Sequence, residues 1–151
     1  MPLNQSHFVS FAQSVGVRFF DKLEDTPVLS EWCTKRGITL PPDNFLSPTG
    51  FTVPGKACLF LYWASGQKAF IDDCYCNPDM LKADKTTAIT ACFLAALIWA
   101  NQSGVKYIHG WMPNPKVIQE MHTVLQKTGL GELNIIADSP QTAFQIKVTG
   151  V

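Results

Sequence analysis

The chain has 151 residues, of which 46% are hydrophobic and 16% charged; that length favours a single domain with a continuous core, and that composition excludes a disordered polymer. Twelve basic and twelve acidic side chains cancel, with no basic cluster to break the balance, so neither nucleic acid nor an anionic membrane is an expected partner. The N-terminus lacks a charged start followed by an apolar signal core, which makes a soluble, cytoplasmic protein the default expectation.

In chain order, Phe8, Phe11, Ala12, Val15, Phe19 and Leu23 recur at helical spacing and predict a helix over 5–24 packed on a sheet; the density of aromatic residues also allows an interaction arm. A shorter helix is expected over 28–35, around Trp32, and ended by Gly37. Prolines and glycines between 39 and 55 predict a loop with a short edge strand at 51–53. Residues 57–64, after Lys56, form an unbroken apolar run of strand length, as in a strand buried on both faces. A turn at 65–67 returns the chain as an antiparallel strand over 68–76.

Asp84 stands where an N-cap belongs, before a helix over 85–102 with Ile89, Cys92, Phe93, Ala96, Leu97 and Ala100 on one face and Gly104 as the left-handed stop. The wholly apolar run 91–100 is too short to cross a bilayer, which needs about 20 residues. A strand follows over 105–111, with Val105, Tyr107, His109 and Trp111 on one face. Asn114-Pro115 opens another helix, whose buried stripe is expected to be Val117, Ile118, Met121, Val124, Leu125 and Thr128 and whose end is Gly129. Strands at 133–137 and 143–148 close the chain. Strand, helix, strand, helix implies a crossover within one largely covered sheet.

Cysteines at 33, 58, 74, 76 and 92 are odd in number and irregular in spacing, which fits buried free thiols better than a disulfide framework. Without a paired CxxC or a nearby histidine, no metal site is expected. Asp72 and Asp73 are the carboxylates placed to act as general base, although strict alternation would send them to opposite faces of their strand. A bulge or a lysine partner is the competing role for them. His109 and Trp111 share a face and are candidates for an acceptor pocket or, for Trp111, for core packing. Cys74 and Cys76 lack the base that a nucleophile needs.

The order of elements over 51–149 resembles that of the GNAT N-acetyltransferase superfamily. Cys76-Asn77-Pro78-Asp79 is similar to the valine-x-proline-glutamate phrase that closes the family's central strand. The Asn114-led helix ending Lys127-Thr128-Gly129-Leu130 is similar to the family's asparagine-led helix ending in lysine-x-glycine-phenylalanine. The resemblance implies an α/β (α+β) fold with a mixed central sheet flanked by helices in one domain, with 1–50 as an atypical helical and loop region. It implies an N-acyltransferase that uses acetyl-CoA on an amine.

The cofactor would lie between the strands at 68–76 and 105–111, with backbone amides near Cys74 and Cys76 polarising the thioester carbonyl. Lys82, Lys85, Thr86, Thr87 and Asn114 complete the cofactor-side candidates, and Asp72, Asp73 and His122 the catalytic ones. Two departures stand out. The family's phosphate loop places glycines where this chain has Asp84 and Thr86, and its acidic tyrosine falls on Leu125. A degenerate, catalytically inactive binding or assembly module of the same fold, similar to small proteins of some tailed phages, is the alternative. The enzyme would take a small-molecule or protein amine, whereas the module would take a protein partner.

Overall fold

The computed structural model describes residues 16–42, 45–64, 66–112, 115–137 and 142–148. The elements are β1 (Arg18–Phe19), α1 (Lys22–Arg36), β2 (Gly50–Val53), β3 (Ala57–Trp63), β4 (Lys68–Cys76), α2 (Lys82–Gln102), β5 (Tyr107–Met112), α3 (Pro115–Thr128), β6 (Gly131–Ala137) and β7 (Thr142–Val148). The seven strands form one sheet in the order β1-β2-β3-β4-β5-β7-β6. Only β4 and β5 are parallel neighbours, and α2 makes the crossover between them. The sheet is mixed and flanked by helices in a single domain, as expected.

One face of the sheet packs on α2 and α3. Its core includes Phe51, Leu59, Leu61, Ile71, Phe93, Leu97, Ile108, Met121 and Phe144, all essentially inaccessible. The opposite face packs on α1 through Leu29, Trp32 and Cys33 against Cys58 and Phe60. Residues 57–61 are therefore buried on both sides, the two-faced burial their unbroken apolar run predicts. Helix α2 has 21 residues and is long and apolar enough to cross a membrane, but nine of them, from Ala88 to Ala100, are buried. It is a core helix.

Several local expectations are corrected. The helix predicted over 5–24 does not hold across its described part: Gly16 turns at φ 72°, β1 follows, and Asp21 caps a helix beginning at Lys22. Residues 5–15 lie outside the described residues. Asp21 accepts from the amides of Leu23 at 2.9 Å and Glu24 at 3.0 Å, which fixes the start of α1. The helix runs on through Pro27, so the segment expected to begin at 28 begins a turn and a half earlier. The carbonyl that loses its partner to Pro27 belongs to Leu23, on an exposed first turn where water can replace the bond. Gly37 ends α1 in the left-handed region. Strand β2 is not at the edge, because β1 pairs outside it through Arg18↔Thr52 and Phe19↔Phe51.

Asp84 is not the cap of α2. The helix begins at Lys82, Leu81 occupies the cap position without a capping side chain, and Asp84 sits in the first turn. At the other end the expectation holds: Gly104 (φ 83°) lets the Val105 amide reach the Ala100 carbonyl at 3.0 Å. Gly129 (φ 68°) ends α3 likewise, its amide bonded to Leu125.

Candidate functional site

The parallel ladder between β4 and β5 runs from Lys68↔Tyr107 to Ile71↔Gly110 and stops there. Past that point β4 stays with β3 (Asp72↔Phe60, Tyr75↔Cys58, Cys76↔Ala57) while β5 stays with β7 (Trp111↔Ala143). The two strands part, and their facing backbone edges lose the ladder between them. A bulge bends β4 where the strands part. Register shifts by one between Cys58 and Phe60, so β4 carries an extra residue, and Asp73 takes φ 51° to accommodate it. Such a bulge bends its strand and increases its twist. Gly110, at the last pair, sits so close to its neighbours that an added Cβ would lie 2.7 Å from Phe144 Cζ and 3.2 Å from the Ile71 carbonyl.

The bulge also changes which way the acids face. Ile71 and Cys74 both belong to the α2 side, so the two residues between them share the other side. Strict alternation put Asp72 and Asp73 on opposite faces; the structure puts both on the face of Phe60, Tyr62 and Tyr75. There the Asp73 carboxylate accepts from the phenols of Tyr62 and, at 3.2 Å, of Tyr75, while the Asp73 amide donates to Asp72 Oδ1 at 2.9 Å. Burial, followed by the neighbouring Asp73, holds both phenols above the ordinary range, so they remain protonated donors.

A cleft of about 690 Å³ occupies the parting. Residues 71–76 of β4 and Trp111 and Met112 of β5 line it, with Lys85, Thr86 and Ile89 from α2 and Arg36 from the end of α1. A second cavity, of about 820 Å³, lies between the starts of α2 and α3 and is lined by Lys82, Lys85, Thr86, Thr87, Lys116 and Gln119 among others. Lys85 and Thr86 line both, so the cleft and the cavity adjoin along the first turns of α2. Thr86 and Thr87 donate their hydroxyls back to the carbonyls of Lys82 and Ala83 at 3.1 and 3.0 Å. The Lys85 ammonium reaches the Pro78 carbonyl at 3.3 Å. Asp84 points elsewhere: it lines a separate groove with Lys56, Met80 and Ala88.

The thiols report the charge along β4. Burial raises the Cys76 thiol, and the nearby cations Arg36 and Lys85 pull it partly back. Burial raises Cys74 far more, with Asp72 among the smaller contributors. Cations therefore gather at the Cys76 end and acids at the Asp72 end, and neither thiol is activated as a nucleophile.

The structure thus brings together Asp72, Asp73, Cys74, Cys76, Lys85 and Thr86 in one cleft, with Lys82 and Thr87 in the adjoining cavity. His122 is exposed on α3 and lines neither. Asn114 lies outside the described residues. Trp111, weighed for core packing, is 53% exposed. His109 lies against Phe70, tilted by 34°, and meets Gln145 at 3.1 Å. Arg36, Tyr62 and Tyr75 were not legible as site residues. Arg36 arrives because Lys35 bonds Asp79 at 2.6 Å, clamping the end of α1 to the turn before α2. That contact spans a sequence distance no local pattern signals. For the tyrosines, the available sign was an acidic pair inside an otherwise apolar strand.

No family model and no curated protein matches the sequence. Solved structures do. An acetyltransferase of the GNAT family from Staphylococcus aureus aligns at TM-score 0.54 and 5% identity over 87% of this chain and 97% of that one. A Klebsiella pneumoniae protein assigned as an acyl-CoA N-acyltransferase aligns at 0.51 and 8% identity over 87% and 96%. A Lactobacillus plantarum protein assigned as an N-acetyltransferase aligns at 0.51 and 12% identity over 97% and 94%. The sheet order and these alignments define the fold of the chain and nothing finer. The chain has the GNAT fold.

Proposed function

We propose that this protein is an N-acyltransferase that transfers an acyl group from acyl-CoA to an amine. The observation that carries the reading is the cleft opened where β4 leaves β5, because it exposes backbone amides beside a helix start. The residues present fit the cofactor in charge and in access. Leu81 offers the first turn of α2 no side-chain cap, so its amides are available to an anion. Lys82 and Lys85 flank that turn; Asp84 faces another groove, and Glu120, which does line the cavity, is outnumbered there by Lys82, Lys85 and Lys116.

When bound, acyl-CoA supplies an activated thioester. The chain's own groups do the rest. Lys82, Lys85 and Arg36 hold negative charge at the Cys76 end. The freed amides of the 74–76 segment donate to the carbonyl oxygen as charge builds on it. Asp72, with Asp73 held beside it, would take a proton from the incoming ammonium directly or through water; the freed amine would attack the thioester carbon, the C–N bond forming as the C–S bond breaks, and the CoA thiolate would leave, neutralised through water by the second proton the nitrogen sheds. Acetyl as the acyl group, a small molecule as the acceptor and a cytoplasmic setting extend the same reading.

Isothermal calorimetry with acetyl-CoA tests it. Micromolar affinity that falls in the Lys82→Ala/Lys85→Ala double variant is the expected result, and no heat at millimolar ligand is the contrary one.

A second reading, an inactive module of the same fold that binds a protein partner and is akin to phage assembly proteins, has one observation in its favour. Leu125, at the position matched to the family's acid, is 2% exposed and sealed in the core, and no described side chain takes its place.

A further inference from the structure

The sheet face that carries Asp72 and Asp73 is covered by α1 only over β3 and the far end of β4. Beside that cover, Phe70 and Trp111 lie nearly parallel, at an interplanar angle of 8° with centroids 6.4 Å apart. Phe70 supports one side of the indole, and more than half of Trp111 stays open to solvent and to the cleft. Among the described residues neither Asp72 nor Asp73 pairs with a lysine or arginine. Asp73 is held by two neutral phenols, which fix its position and leave its charge uncompensated. The cations of the cleft stand at its other end, around Cys76.

We infer that the acceptor end of the cleft binds a primary amine carried on a flat, aromatic body, the ammonium against Asp72 and Asp73 and the ring against Trp111. The inference rests on the acyltransferase reading for what then happens to the amine, but not for the binding itself. Three physical terms select this class. The unpaired carboxylates favour a cation, and Arg36 and Lys85 repel the same cation from the cofactor end. The supported indole offers an exposed π-face to a second ring and a partial attraction to the ammonium. A purely aliphatic amine meets the two charge terms and lacks the ring, and an aryl carboxylate meets only the ring term, against a repulsion.

The test is calorimetry on the intact protein with three probes: phenethylamine, butylamine and 3-phenylpropionate. Phenethylamine is expected to bind about tenfold more tightly than either of the others, as one ring contact and one charge contact would each supply. Trp111→Ala, at an exposed position, removes the preference for phenethylamine over butylamine. Asp72→Asn weakens both amines and leaves the aryl preference. Equal affinity for phenethylamine and butylamine, or an aryl preference that survives Trp111→Ala, overturns the inference. Acetyl-CoA titrated separately reports on the acyltransferase reading. Amine selectivity without acetyl-CoA binding would sink that reading and keep this one, and acetyl-CoA binding without amine selectivity would do the reverse.

Discussion

Tyr75 donates its phenol to Asp73 at 3.2 Å from two residues further along the same strand, and Asp73 bridges back to Tyr62 on the neighbouring strand. Asp73 is the only described residue other than glycine with positive φ, and the two phenols hold it there. A side chain that loses these partners but keeps its Cβ suffers twice. Asp73→Ala is expected to lower stability by about 2–3 kcal/mol, and Asp73→Gly by about 1 kcal/mol less because glycine adopts φ 51° freely. Urea unfolding of the two variants side by side checks the order. Ala equal to or more stable than Gly would show that the bulge is unstrained.

Much of this architecture was readable from periodicity and punctuation. The hairpin of β3 and β4, the core helix α2 with its Gly104 stop, and the α3 stripe of Val117, Ile118, Met121 and Leu125 all follow from spacing alone, although Thr128, expected in that stripe, is exposed and Val124 only half-buried. The parting of β4 and β5 was expected only through family resemblance. A bulge is among the roles the acidic pair suggests, but its effect on facing is not readable, because period-two reasoning has no term for an inserted residue, and it reverses the relation between Asp72 and Asp73. The start of α1 was missed for a different reason: Pro27 looks like a breaker, while the Asp21 cap and the Arg18–Asp25 pair outweigh it. Asp84 shows that a good capping residue need not cap when a turn upstream starts the helix first.

Gly110 permits the last β4–β5 pair. In Gly110→Ala the new methyl would press on Phe144 Cζ and the Ile71 carbonyl, at 2.7 and 3.2 Å. Phe144 is fully buried and cannot swing aside. A loss of about 1–3 kcal/mol is expected by thermal or urea unfolding, and wild-type stability in this variant would contradict the close approach.

Arg18 and Asp25 tie β1 to α1 with two hydrogen bonds, at 2.7 and 2.6 Å. Burial alone would raise the Asp25 carboxyl, but the Arg18 hydrogen bonds and the Asp21 amide outweigh it and hold the group below its ordinary 3.8. A carboxyl lowered in the folded state stabilises folding above its unfolded value and loses that contribution as pH falls through the folded one. The urea midpoint of the wild type should therefore exceed that of Asp25→Asn at neutral pH, and the gap should narrow as pH falls through and below the ordinary carboxylate range. A gap independent of pH would show that the pair does not act through charge.

The thiols should be inert in the native state. Burial lifts Cys92 to about 12 and raises Cys58 and Cys74 well above the ordinary thiol value. At pH 8 the thiolate fraction of Cys92 is on the order of one in ten thousand. Iodoacetamide at that pH should label these three only after unfolding in urea, as read by intact mass. Rapid native labelling of Cys74 would mark it as activated and reopen a nucleophilic role.

If acyl-CoA occupies the opening between β4 and β5, hydrogen exchange locates it directly. With coenzyme A at saturation, amide exchange should slow in two segments, 72–76 on β4 and 82–86 at the start of α2, and stay unchanged in β6 and α1. Protection confined to other segments, or none at saturating ligand, would contradict the account.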